Sequence, residues 1–342
     1  MRRNKETFII VFSQTKKMYN LKELPEDFIV QEFPQRNFSE EGKYLVCLLK
    51  KKNYNTEDAV QAICKALGTV RRNISYAGNK DRKAVTHQYI SLYMGSKERI
   101  ENLDLKDIFL KPIGRINSPI SLGDLKGNKF TIIVRNLEKD VSPKNIDKFP
   151  NYYDEQRFSK NNVRIGRAII KKDFKSAADI IANEDYKYGN LVKTVLEKEP
   201  HNFIGSLQEL PSKILLIYVH SYQSYLWNLE AEKYLEKNPD SEQRDLPLVG
   251  FYEPEDEESR QITDSILKEE NLVYRDFIVR EIPSISMEGS TRKLFCNIFD
   301  LEFGKLEDDE LNPGKKKLLV KFFLEKGSYA TMAIKYLFNL KN

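Results

Sequence analysis

Short apolar runs set the rhythm of the first 150 residues. "EDFIVQEF" (26–33) and "GKYLVCLLKK" (42–51) are rich in aliphatic and β-branched residues between polar flanks, and both read as strands. Between 55 and 68 the period lengthens: Ala59, Val60, Ile63, Ala66 and Leu67 recur at helical spacing, Asn55 or Thr56 can cap, and Gly68 follows as a stop. That pattern predicts a helix with one buried face. A polar loop from Ala77 to Lys83 then feeds "AVTHQYISLY", which reads as a buried strand. "GDLKGNKFTIIVRN" (123–136) repeats the scheme, a glycine-punctuated turn leading into "FTIIVRN". Strands and helices mixed in this way predict an α+β or α/β sheet domain.

After "FPNYYDEQRFS" (149–159) the texture becomes helical. "VRIGRAIIKKDFKSAADIIA" and "ILLIYVHSYQSYLWNLEAEKYLEK" both carry the i, i+3, i+4 pattern. The acidic stretch "EPEDEESRQ" (253–261) reads as a loop, and "KKKLLVKFFLEKGSYATMAIKYLF" as a strand, a glycine turn and a short helix. A sheet region, about 150 helical residues and a return to strand is the order expected of one domain inserted into another.

Composition narrows the class. The 342 residues suffice for two domains, and 40% hydrophobic with 31% charged is the balance of a soluble protein. No apolar run is long enough to span a bilayer, and "FIIVF" near the N-terminus is too short for a signal-peptide core, so a cytoplasmic location is expected. Cys47, Cys64 and Cys296 lie far apart, as do His87, His201 and His220, which suggests neither a disulfide framework nor a metal site. The net charge of +5 is unevenly spread: residues 1–160 hold 30 Lys and Arg against 20 Asp and Glu, the remainder 26 against 31. Each basic run alone (Lys50-Lys51-Lys52, Arg71-Arg72, Lys315-Lys316-Lys317) reads as a solvated face. The bias over the whole first half points instead to a polyanionic partner.

Candidate chemistry sits in "SYAGNKDRKAVTHQYIS" (75–91), where Asp81 stands among Lys80, Arg82 and Lys83. Cations on both sides favour the ionised carboxylate, which suits a nucleophile or a base, although a mixed-charge turn is also simply a turn. "GDLKGNK" lacks the spacing of a phosphate loop. Asn128 within it reads as a turn residue or as an amide offered to a ligand from a strand edge. Phe28, Phe130 and Tyr329 each stand next to a polar turn, where aromatic rings can stack on nucleobases; singly, each is as readily a core residue.

Six stretches occur here in the order they take in the TruD family of pseudouridine synthases: "LKELPEDFIVQE", "AGNKDRKAVTHQ", "LKGNKFTIIVRN", "PNYYDEQRFS", "YQSYLWN" and "FFLEKGSYATM". The chain resembles that family from about Leu21 to Met332. The resemblance implies an α+β fold, a mixed-sheet catalytic domain interrupted by a family-specific α/β insertion, with boundaries expected at 1–159, 160–311 and 312–342. It implies an isomerase that converts a tRNA uridine, usually at position 13, to pseudouridine after flipping it from the stack, with no cofactor and no obligate protein partner.

The same resemblance makes Asp81 the catalytic residue and Lys22 its ion-pair partner. Phe28 and Asn128 would contact the uracil, Phe130 would stack on it, and Tyr329 would line the pocket. Lys80, Arg82, Gln156 and Arg157 would face RNA. The family's "NYFGxQRFG" reads "NYYDEQRFS" here, so that two of its glycine positions have become Asp154 and Ser159, and a turn is expected to be rebuilt there. Two other functions compete: a catalytically silent RNA-binding protein, opposed by the retained Asp81 and Lys22, and a nucleoside hydrolase, opposed by the lack of an Asp-rich site or paired catalytic carboxylates.

Overall fold

The computed structural model describes residues 19–184 and 187–338; "FIIVF" lies outside them. The chain divides into two compact units, one running to Phe149 and resuming at Cys296, the other from Pro150 to Phe295. Both passages come earlier in sequence than the expected 159/160 and 311/312. At the first, Tyr152 and Tyr153 already pack edge-on against Trp227 of the second unit. At the second, the strand Phe299–Asp308 pairs within the sheet of the first unit.

Among the described residues the first unit is built on an eight-stranded sheet. Its strands are β1 (Phe28–Pro34), β2 (Tyr44–Lys52), β3 (Ile74–Tyr76), β4 (Val85–Tyr93), β5 (Ile108–Ile116) and β6 (Leu125–Leu137). Two more come from the end of the chain, separated by β7 (Lys148–Pro150), β8 (Asp245–Leu248), β9 (Ser290–Lys293) and β10 (Phe295–Asn297): these are β11 (Phe299–Asp308) and β12 (Lys316–Glu325). The order is β11-β12-β6-β1-β4-β2-β5, with β3 beside β4. Among the described residues β1 and β4 run parallel, Ile29 opposite Val85, and the other pairs in this sheet are antiparallel, so the sheet is mixed.

The helix Thr56–Leu67 forms where the periodicity predicts it. The Asn55 side chain accepts the Asp58 N–H at its start, and Gly68, at φ 61°, ends it in the left-handed conformation. Its Ala59, Val60, Ile63 and Leu67 join Leu45, Cys47, Leu49, Ile74, Ile90 and Leu92 in one core cluster, so the helix lies on the sheet face that carries the odd-numbered residues of β2.

The expected glycine turn at 123–128 is different. Gly127 lies inside β6, where an added Cβ would sit 2.2 Å from the Leu324 carbonyl oxygen and 2.5 Å from the Phe323 ring. Glycine is needed here for the close approach of β12, not for a bend, and Asn128 and Phe130 are therefore strand residues.

In the second unit the expected helix over 163–182 is two, Asn162–Ile170 and Phe174–Ala182. Lys172 at φ 61° breaks the run and Asp173 caps the second piece. The acidic stretch is half helix: Asp256 accepts the Ser259 N–H and starts Glu257–Glu270, with Glu257 and Glu258 in the first turn where the helix dipole favours acids. The long helix Ser212–Lys237 buries Tyr222 and Trp227 completely. Of the two glycine replacements, Asp154 has ordinary extended backbone (φ −86°, ψ 165°), whereas Ser159 sits at φ 48°, ψ −168°, a region that is essentially glycine's alone.

Candidate active site

The loop bearing Asp81 is tied down from below by residues of three neighbouring elements. Lys51, fully buried at the end of β2, donates from Nζ to the carbonyls of Tyr54 (2.6 Å) and Asp81 (3.1 Å) and lies 3.5 Å from that of Lys80. The Thr56 hydroxyl oxygen accepts the Lys80 N–H at 2.8 Å and donates to Gln88 Oε1, while Gln88 Nε2 donates to the Gly78 carbonyl. The backbone from Gly78 to Asp81 thus has little freedom, and the Asp81 carboxylate projects from it with 40% of its side chain exposed.

Lys80 does not reach outward. Its Nζ lies 2.5 Å from Glu32 Oε2, with side-chain exposures of 7% and 1%, and the other Glu32 oxygen accepts the Tyr89 N–H. That N–H lies beyond the β1–β4 pairing, which ends at Gln31 opposite His87. Lys80 is therefore an anchor of the loop, and among the expected RNA-facing residues of this loop only Arg82 is exposed. Lys51, similarly, is no solvated surface lysine. Burial pushes its ammonium down to about 8; the Asp81 charge works in the opposite direction, and that of Lys80 lowers it further.

Above this loop, Lys22 Nζ lies 2.6 Å from Asp81 Oδ2 and 4.2 Å from the centre of the Phe28 ring. The Lys22 side chain is thus held between a carboxylate in front and an aromatic face beneath. Lys22 holds φ at 58°, a left-handed conformation that a lysine adopts only where its surroundings impose it. The surroundings here are an ionic cluster. Arg135 of β6 is 3% exposed, with its Nε 3.0 Å from both oxygens of Asp27 and its other nitrogens 2.8 Å from Asp309 and 3.2 Å from Glu310.

Asp27 also accepts the Leu24 N–H, Asn20 exchanges backbone hydrogen bonds with Arg135, and Asn312 Nδ2 donates to Glu23 and Asp309. Burial works against the Asp309 charge, but the N–H groups of Asn136, Asn312 and Leu311 and the Arg135 guanidinium hold its carboxyl down to about 2. The segment 20–28, bearing Lys22 and Phe28, is in this way clamped to β6 and to the turn between β11 and β12.

Phe28 and Phe130 sit on adjacent strands, ring centres 6.0 Å apart and edge to face, and Phe130 lies 5.5 Å from Phe322 of β12. Both expected aromatics are buried, at 2% and 7%. Asn128 lies directly opposite Glu32, on the same face as Phe130, and its Oδ1 is buried with no hydrogen-bond partner. Thr86 Oγ1 is in the same condition and sits opposite both Lys51 and Val30. Buried acceptors left open in this way are costly unless something fills them. Tyr329 is half-buried immediately before the helix Ala330–Leu337.

Gln156 and Arg157 belong to the second unit. Gln156 is exposed; Arg157 is half-buried, its Nε donating to Ser224 and its guanidinium lying 5.7 Å from the Tyr153 ring. Sequence reasoning passed over Lys51, Glu32, Thr56 and Gln88. For Lys51 a signal existed, since strand alternation puts it on the face of Leu45, Cys47 and Leu49. The others become visible only once the loop is seen to lie over them.

The family model described as tRNA pseudouridine synthase D (TruD) matches residues 7–192 and 243–337 of this chain. Relatives named "Probable tRNA pseudouridine synthase D" include one from Nanoarchaeum equitans, 30% identical with 93% of this chain and 98% of the other covered, and one from Methanosarcina barkeri, 29% identical with 92% of each covered. The solved structure of the "Putative tRNA pseudouridine synthase D (TruD)" from Methanosarcina mazei superposes with a TM-score of 0.72 at 27% identity, over 95% of this chain and 94% of that one.

Proposed function

Because the chain belongs to the tRNA pseudouridine synthase D (TruD) family, we propose that it isomerises a uridine of tRNA, at position 13, to pseudouridine, with Asp81 as the catalytic carboxylate. The observation that carries this reading is the Lys22–Asp81 pair at 2.6 Å, held above the Phe28 ring, on a loop fixed by buried Lys51. An aspartate on a rigid loop, partly exposed and held by one lysine, is a carboxyl group presented in a fixed place to whatever enters.

The reaction needs the target base out of the RNA stack before its glycosidic bond can be reached. Asp81 then acts at the sugar, by attack on C1′ or by removal of the C2′ proton; both routes start from the carboxylate. The freed uracil must stay, turn and rejoin through C5, so it has to be gripped at its edge as well as its face. The unfilled Asn128 Oδ1 suits the uracil N3–H, and the rings of Phe28 and Phe130 supply the apolar wall. The unit from Pro150 to Phe295 is read as the family's insertion, shaping the choice of RNA, and the enzyme as a cytoplasmic one that works without a cofactor.

The test is carbodiimide-stop sequencing of total tRNA treated with the wild-type protein or with Asp81→Asn. A stop at uridine 13 with wild type alone is expected, with RNA affinity of the variant within a few-fold. Equal stops from both proteins would end the role of Asp81, and no stop on any tRNA would end the proposed activity.

A further inference from the structure

On the sheet face turned away from the Asp81 loop, one row of side chains crosses seven strands. Phe299 of β11 is opposite Phe323 of β12, Phe323 is opposite Lys129 of β6, and Lys129 is opposite Gln31 of β1. Gln31 is opposite His87 of β4, His87 is opposite Lys50 of β2, and Lys50 is opposite Phe109 of β5. Each of these residues neighbours one that points the other way into the catalytic face: Glu32 beside Gln31, Asn128 beside Lys129, Lys51 beside Lys50.

The row is open at both ends and at Gln31 and Lys50, and it is chemically uncommitted. Phe109 is 63% exposed and Phe299 43%. Phe323 is half-buried, packed edge-on against Phe33 at 5.5 Å and tilted against Phe299 at 6.1 Å, which makes an aromatic step at one end. Among the described residues neither Lys50 nor Lys129 has an ion-pair partner, the Gln31 amide makes no hydrogen bond, and His87 Nε2 is buried with none. The row contains no carboxylate. Rings at both ends and cations, an amide and an imidazole between them fit a chain of bases joined by phosphates. Six strand spacings of about 4.8 Å give a length of about 29 Å, the scale of a surface that takes about four or more nucleotides.

We propose that this face is a platform for a single-stranded stretch of RNA, running across the strands from Phe299 to Phe109 and separate from the pocket of the reacting base. The inference rests on the RNA substrate proposed above and adds a second place of contact to it. Bases stack on Phe323, Phe299 and Phe109, and Lys129 and Lys50 meet the phosphates between them. A protein partner would need a contiguous apolar patch, which the alternation of cations and amide along the row interrupts.

Binding of fluorescent octauridylate at several salt concentrations tests it, comparing wild type with Lys50→Ala/Lys129→Ala and with Phe109→Ala. The double variant is expected to bind about tenfold more weakly in 0.1 M salt and to flatten the plot of log affinity against log salt by about 1.4, at about 0.7 per phosphate contact on a single strand. Phe109→Ala is expected to weaken binding at least about fivefold with an unchanged salt slope, and both variants to keep the wild-type kcat on tRNA. Unchanged affinity and slope in both would overturn the platform. Should wild type isomerise no tRNA uridine while the expected losses appear, the proposed activity fails and the platform stands.

Discussion

Replacing Lys51 by Met removes a buried ammonium and leaves a side chain of similar length among Leu49, Thr86 and the loop. Two well-formed charge-assisted hydrogen bonds go, to Tyr54 and Asp81; at about 1.5–3 kcal/mol each this is about 3–6 kcal/mol gross. Set against it is the cost of keeping that charge buried. The depression of Lys51 from 10.5 to about 8 corresponds to about 3 kcal/mol of preference for the neutral form. The two largely offset, so Lys51→Met should change global stability by no more than about 3 kcal/mol.

The carbonyls of Lys80 and Asp81 lose their anchor, however. A displacement of the carboxylate by about 1 Å is enough to cost about 10²-fold in rate. The expected result in single-turnover tritium release from 5-tritiated uridine tRNA is a loss of that order, with RNA affinity unchanged within a few-fold. Wild-type pH behaviour gives a second readout. The folded pKa lies below the unfolded one, so between about 8 and about 10.5 the unfolded chain binds more protons and stability gains from this group as pH rises. The rate should fall over the rise from pH 8, because a neutral amine holds the loop less well. Full activity of Lys51→Met, or an alkaline limb identical in variant and wild type, would refute the reasoning.

Other variants probe the remaining parts. Lys22→Met should slow tritium release on the order of 10²-fold with the melting curve unmoved; wild-type rates would shift the pairing role to another cation. Arg135→Met strands Asp27 and Asp309 as buried carboxylates and should cost about 3–5 kcal/mol in urea unfolding, with a loss below about 1 kcal/mol contradicting the clamp on segment 20–28. Ser159→Gly relieves backbone strain worth of order 1 kcal/mol and should raise by about 2–4 °C the transition seen by fluorescence of Trp227, the chain's one tryptophan. A lower midpoint would mean that the serine side chain does something that its backbone angles do not reveal.

Periodicity carried the local structure a long way. The helix Thr56–Leu67, with its Asn55 cap and Gly68 stop, is legible because cap, apolar stripe and terminator agree. The strands at 28–34, 44–52 and 85–93 are legible because their buried positions are continuous or alternate. Glycine misled where its reason was tertiary: Gly127 makes room for β12, a strand almost 200 residues further on. The same distance explains what was missed around Asp81. Its charge pattern and motif stand in sequence, but the lysine beneath it comes from another strand, and that lysine's triplet looks like solvated surface until the pleat separates its members. Lys80 was misjudged for the complementary reason, since the glutamate that holds it inward is 48 residues away.

The place of β12 in the sheet order has a consequence for biosynthesis. It is the strand that completes β6, it brings Phe322 up to Phe130, and the turn before it supplies Asp309 to Arg135. A ribosome that has just made Leu137 must still add the residues up to Lys316 before that edge can close, which takes roughly 10–40 s at ordinary elongation rates. Throughout that interval the nascent chain already contains Asp81, Lys22, Asn128 and the Asp27–Arg135 pair, yet lacks Asp309 and Asn312, which complete the clamp on the segment bearing Lys22. The catalytic face is thus completed by the last of the described strands, and a β6 edge left open for so long is where a chaperone would be most needed.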